Sequence, residues 1–126
     1  MNAIIIAAGS GKRISNDTKN IPKSMVKVNG KPIIEYQLSV LKKAGINEVY
    51  VITGPYSEKF NIKNIKYVKD EQYQNHDILG SLMEAKKKFG KDTLILYSDI
   101  IFELKILKKI MKEEQSIQNQ KLKMWK

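Results

Sequence analysis

Apolar residues along this chain gather in short runs separated by longer amphipathic stretches. Residues 2–7 carry Ile4, Ile5 and Ile6 in succession and lead into glycine. A β-branched run bounded in this way reads as a buried strand. Residues 48–53 and 93–98 repeat the pattern, and Ile65 to Val68 reads as a shorter edge strand. Between the runs the period changes. After Pro32, which suits a first helical turn, Ile33, Ile34, Gln37, Leu38 and Leu41 recur at helical spacing, and Ala44-Gly45 supplies the stop. Asn75-His76-Asp77 offers cap residues for a second helix from about Ile78 to Phe89, closed by Gly90. A third amphipathic stretch, Leu104 to Met111, has apolar residues at 104, 106, 107, 110 and 111.

Strands alternating with helices predict an α/β fold, a parallel sheet with right-handed crossovers. With strand order 3-2-1-4, the first strand and the 93–98 strand become neighbours at the point where the crossovers diverge. Asp99 would then face the loop after the first strand across one crevice, although 90 residues separate them. Leu38, Leu41, Ile52, Leu82 and Ile95 are the expected core. The stretch from Ala8 to about Pro32 reads as a long loop, and loops of that length are usually functional.

Length and composition narrow the class. The 126 residues suit one domain, and with 42% apolar content there is no run of eighteen apolar residues to span a membrane. Met1-Asn2 lacks the basic cluster of a secretory leader. The absence of cysteine leaves no disulfide framework or thiolate metal site and fits a cytoplasmic chain. His76, the one histidine, reads as a loop or cap residue. A net charge of +10 invites a nucleic-acid reading, but half of the excess lies between Lys105 and Lys126. The remaining lysines are dispersed, with few aromatics to stack bases. Lys105, Lys108, Lys109 and Lys112 read as a solvated helix face, and no nucleic acid or membrane partner is expected.

The chemistry sits at the end of the first strand, in Ala7-Ala8-Gly9-Ser10-Gly11-Lys12-Arg13. Gly9 and Gly11 permit positive φ and close backbone approach, so successive N–H groups can wrap an anion. Lys12 and Arg13 add charge, and a guanidinium can grip phosphate oxygens in pairs. The spacing fits neither a Walker loop nor the dinucleotide fingerprint. A phosphate cradle and a plain glycine-rich turn with exposed cations both remain open on these residues alone.

Further along come Pro22-Lys23, then Gly30-Lys31-Pro32-Ile33, Val49 to Gly54, and Leu94 to Ile100 ending in Ser98-Asp99. Together with the glycine loop, these resemble the nucleotidylyltransferases that join a nucleoside triphosphate to a sugar phosphate, phosphocholine or a related phospho-compound. The resemblance spans residues 2 to about 102. It implies a Rossmann-like sheet and transfer of NMP from an NTP, most simply CTP or UTP, with release of pyrophosphate. It implies that Arg13 holds the leaving phosphates with help from Lys12, and that Lys23 binds phosphate near the reacting centre. Ala7, Ala8, Gly9, Ser10 and Gly11 would line the nucleotide, Gly80 and Ser81 would contact the base, and Asp99 would bind Mg²⁺. Thr53-Gly54, Tyr73 and the run from Ser98 to Phe102 lean toward the phosphocholine or aminophosphonate cytidylyl branch.

Members of that family run on for about another hundred residues, so the chain resembles the nucleotide-binding half, over residues 1–112, followed by a polar and basic tail over 113–126. The other half would supply the acceptor pocket and a second metal carboxylate. Without it the sheet is expected to show an uncovered edge and to favour self-association or a partner chain. A catalytically incomplete nucleotide-binding module is therefore the alternative to an active transferase.

Overall fold

The computed structural model describes residues 1–8 and 21–124, with side chains of the last helix described as far as Glu114. Gly9, Ser10, Gly11, Lys12 and Arg13 lie outside the described residues. The main elements are β1 (Asn2–Ala7), β2 (Lys27–Val28), β3 (Lys31–Pro32), α1 (Ile33–Lys43), β4 (Val49–Thr53), β5 (Lys66–Lys69), α2 (Ile78–Met83), β6 (Thr93–Tyr97) and α3 (Leu104–Met124).

Four strands form one parallel sheet in the order β5-β4-β1-β6, the 3-2-1-4 order expected from the alternation. All six residues of β1 are buried, which explains why that run is continuously apolar instead of alternating. Register aligns the carboxyl ends: Ala7 pairs with Thr53 of β4, and Ile6 with Tyr97 of β6. The ends of β1, β4 and β6 therefore open onto one rim.

The two faces of the sheet are covered unequally. On one face Ala3, Ile5 and Ala7 pack with Ile34 and Leu41 of α1 and Leu107 of α3. A helix stop holds α1 in place: Gly45 N–H donates to Lys42 O and Ile46 N–H to Leu41 O, with Ile46 buried beneath. On the other face the apolar neighbours of Ile4, Ile6, Tyr50 and Ile52 among the described residues are Ala85 and, less fully, Leu82 and Val68. Leu41 and Ile52 are fully buried, and Leu38 and Leu82 pack at the core margins.

Ile95 is not core. It is 40% exposed, and its neighbour on the same strand face, Tyr97, is 49% exposed. Strand alternation turns both toward the α2 side, and α2 is too short to cover them. The sequence pattern runs this helix to Phe89, but it ends at Met83 and a 3₁₀ turn follows over Lys86–Lys88. Three consecutive lysines give that turn no apolar side chain to bury, so the packing that sustains a short helix is missing.

The stretch between Ala8 and Pro32 is not all loop. A 3₁₀ turn spans Lys23–Met25, and β2 and β3 form a small hairpin. Asn29 and Gly30 both take positive φ, 53° and 78°, as a two-residue hairpin turn requires. That Asn-Gly pair was a legible signal. At the other end α3 continues well past Met111, through the stretch whose apolar periodicity fades. Lys105, Lys108, Lys109 and Lys112 are exposed along it. No helix among the described residues is long and apolar enough to cross a membrane.

Candidate active site

Three backbone segments meet at the carboxyl rim of the sheet. Ala8 leaves β1 beside Gly54, which follows β4. A Cβ added at Gly54 would lie 2.4 Å from Ala8 O, so only glycine permits this approach. The segment after β6 carries Ser98 and Asp99. The turn holding Lys23 packs opposite it.

Lys23 and Asp99 come together. Lys23 Nζ lies 2.9 Å from Asp99 Oδ2, with the two side chains 35% and 47% exposed. The hydrogen bond from Lys23, aided by its charge, holds the Asp99 carboxyl below its ordinary range despite partial burial. An exposed pair of this kind contributes little to stability. The pair is half open, with a lysine and a carboxylate presented side by side to solvent at the sheet edge.

Buried donors hold the segment around Asp99. Ser24, next to Lys23 in the turn, gives its hydroxyl to Ser98 O at 3.4 Å. Gln37, on the buried face of α1, donates from Nε2 to Tyr97 O at 2.8 Å and to Ile100 O at 2.7 Å. Sequence periodicity placed Gln37 on the inner face of α1 but gave it no role. A glutamine among apolar residues at helical spacing was the available sign.

A second polar cluster lies at the end of β5. Asp70 N–H donates to Thr53 O at 2.7 Å, which extends the β4–β5 contact onto the rim. Its carboxylate, fully buried, accepts from Ser81 Oγ at 2.7 Å, from the Gln72 N–H at 2.9 Å, and lies 3.0 Å by each oxygen from His76 Nδ1. Burial works against ionisation of Asp70, but the bonds from Ser81, His76 and Gln72 outweigh it, so its carboxyl sits below the usual range. His76 is thus a partner of a buried carboxylate, and the helix cap is Asp77, whose Oδ1 accepts from the Gly80 N–H at 2.8 Å. Asp70, His76 and Glu84 also offer one metal-ligand atom each within 4.8 Å of one another. The Asp70 oxygens are already engaged by their donors, so hydrogen bonding accounts for the cluster.

Ala7 is buried at the end of β1 and Ala8 is half-buried on the rim. Lys23 and Asp99 are in contact. Gly80 and Ser81 lie in α2, and the Ser81 hydroxyl is taken up by Asp70.

The sequence profile of the MobA-like NTP transferase domain matches residues 3–119. The chain belongs to this family. It is 37% identical over 107 residues to the choline-phosphate cytidylyltransferase of Streptococcus pneumoniae, covering 82% of this chain and 47% of that protein. It is 36% identical over 130 residues to the CTP:phosphoglutamine cytidylyltransferase of Campylobacter jejuni, covering 93% of this chain and 51% of the relative. Among solved structures, CTP:phosphocholine cytidylyltransferase from Streptococcus pneumoniae superimposes with a TM-score of 0.71 at 33% identity, over 82% of this chain and 49% of that one. The chain thus spans about half the length of these curated relatives. In this MobA-like NTP transferase domain the Lys23–Asp99 pair lies where the strand order predicts, at the rim between β1 and β6.

Proposed function

We propose that this chain is the nucleotide-binding part of a cytidylyltransferase that moves CMP from CTP to a small phosphorylated acceptor such as phosphocholine, releasing pyrophosphate. The observation that carries the reading is the Lys23–Asp99 pair, held 2.9 Å apart beside the end of β1. The names and functions of the relatives supply the substrate class.

In this reading an acceptor phosphate oxygen attacks the α-phosphorus as the bond to pyrophosphate breaks. Negative charge grows on the leaving group and the non-bridging oxygens, so fixed cations lower the barrier. Lys23 turns from Asp99 to the phosphates. Arg13 and Lys12, a few residues after Ala8 in the sequence, hold the leaving pyrophosphate against the N–H groups of Gly9, Ser10 and Gly11. Asp99 fits a Mg²⁺ ligand, as a half-exposed carboxylate of the hard oxygen type, and would hold the ion beside the phosphates. When bound, Mg²⁺ supplies charge neutralisation at the triphosphate.

Calorimetric titration with CTP, UTP, GTP and ATP, with and without Mg²⁺, tests this. The expected result is selective CTP binding that Arg13→Ala abolishes. Binding of no triphosphate overturns the reading. A second reading, a nucleotide-binding module completed by a partner chain or a second copy, is favoured by one feature. β6 pairs on one side only among the described strands and exposes Ile95 and Tyr97. Mg²⁺-dependent pyrophosphate release by the chain as a monomer, with its state read by sedimentation, would exclude it.

A further inference from the structure

We propose that Gln37 is a positioning residue for Asp99, fixing the carboxylate from behind; the inference rests on the reading of Asp99 as a metal carboxylate.

The need for such a residue follows from where the sheet stops. The β1–β6 ladder ends at the Ile6–Tyr97 pair, so residues 98–100 leave it without strand partners among the described residues. Backbone carbonyls in a packed region require donors from elsewhere. Gln37 supplies them. Its Nε2 bonds the carbonyls of Tyr97 and Ile100, at 2.8 and 2.7 Å, and so brackets the two residues between them, Ser98 and Asp99. Carbonyl oxygens only accept, so the amide nitrogen faces them and the orientation is fixed.

Gln37 stands on the same buried face of α1 as Ile33, Ile34 and Leu41 and is only 1% exposed. An aliphatic side chain would fill that volume without the desolvation cost of an amide. What the amide adds is geometry. It ties the tip carrying Asp99 to a helix that is itself anchored in the main core. Ser24 adds a lighter parallel link, Oγ to Ser98 O, so that residues 23 and 24 of the turn stand against 99 and 98 of the strand end. Lys23 is therefore not the only thing holding Asp99. When Lys23 leaves for phosphate, the Gln37 bonds keep the backbone that carries the carboxylate in place. Groups behind a metal ligand commonly change cation affinity by about 10- to 100-fold when removed.

The test uses Mn²⁺ as the probe, titrated into the chain and read by water-proton relaxation. Wild type is expected to bind Mn²⁺ and Asp99→Asn to lose that binding. Gln37→Met, of similar size without donors, is expected to weaken binding about tenfold. Leu41→Val, which loosens the same buried face of α1 but keeps the Gln37 donors, is expected to leave Mn²⁺ affinity unchanged, and equal weakening by the two variants overturns the inference. Equal Mn²⁺ affinity in wild type and Gln37→Met overturns the inference alone. Equal binding by wild type and Asp99→Asn overturns the metal reading of Asp99 and the inference with it. Should Gln37→Met fail to fold, amide exchange decides in the wild-type chain. Both Gln37 side-chain amide protons are expected to resist exchange with water, and rapid exchange overturns the clamp.

Discussion

Asp99 and Asp70 lie on the same rim, each just past a strand, and each carboxyl is held below its ordinary range. They reach that state in opposite ways. Asp70 is fully buried, and three residues, Ser81, His76 and Gln72, supply it with hydrogen bonds. Asp99 is half open, and its one close cation among the described residues is Lys23, on a flexible side chain. A carboxylate filled by buried donors is committed to structure, because any ligand would have to displace bonds that have no water to replace them. A carboxylate satisfied by one exposed ammonium can exchange partners at small cost. A low carboxyl pKa alone therefore does not mark a binding site; the kind of partner does.

The largest effect expected from this contrast is at Asp70. Asp70→Ala would leave the Ser81 hydroxyl, the His76 ring and the Gln72 N–H without their acceptor, at a cost of about 3 kcal/mol or more in urea unfolding. A loss below about 1 kcal/mol would mean the cluster is as loose as the Lys23–Asp99 pair. The sign of its pH dependence follows from the lowered pKa. The Asp70 carboxylate stabilises the fold above the unfolded value of about 3.9 and loses that contribution as pH falls through the lower folded value. The gap between wild type and Asp70→Ala should accordingly be full near neutrality and narrow below about pH 4.

Between the two carboxylates stands Gly54. Gly54→Ala would drive a methyl to 2.4 Å from Ala8 O, and a backbone contact cannot swing aside as a flexible side chain could. We expect a loss of about 1–3 kcal/mol, read by thermal unfolding. Nucleotide binding should weaken with it, because Ala8 leads directly into the glycine loop.

The smallest stability effect belongs to the exposed pair. Lys23→Met should change unfolding free energy by less than about 1 kcal/mol. It should also tighten Mn²⁺ binding in the absence of nucleotide, since Asp99 loses its resident cation, while weakening CTP. A stability loss matching that of Asp70→Ala would erase the contrast between the two carboxylates.

Much of the architecture was legible in the sequence because it depends on local pattern. The unbroken apolar run of residues 2–7 marks a strand buried on both faces, and the change to helical spacing after Pro32 marks α1. Alternation of the two element types then leaves few topologies, among them the order that is found. Asp99 at a strand end and Lys23 after a proline were visible as residues, and the strand order brought them to one crevice.

What only the tertiary structure decided are the matters that rest on long-range partners. Ile95 has the same apolar character as Ile5, yet one is exposed and the other buried, because no helix among the described residues reaches across β6 on that face. His76 had no neighbour in sequence to explain it, and its partners are a carboxylate six positions earlier and Glu84, just past the helix that follows. Gln37 finds its carbonyls 60 and 63 residues away. Period and composition specify which face of an element turns inward. They do not specify what that face meets, since a buried polar group is satisfied by whichever chain segment the fold brings within hydrogen-bond reach.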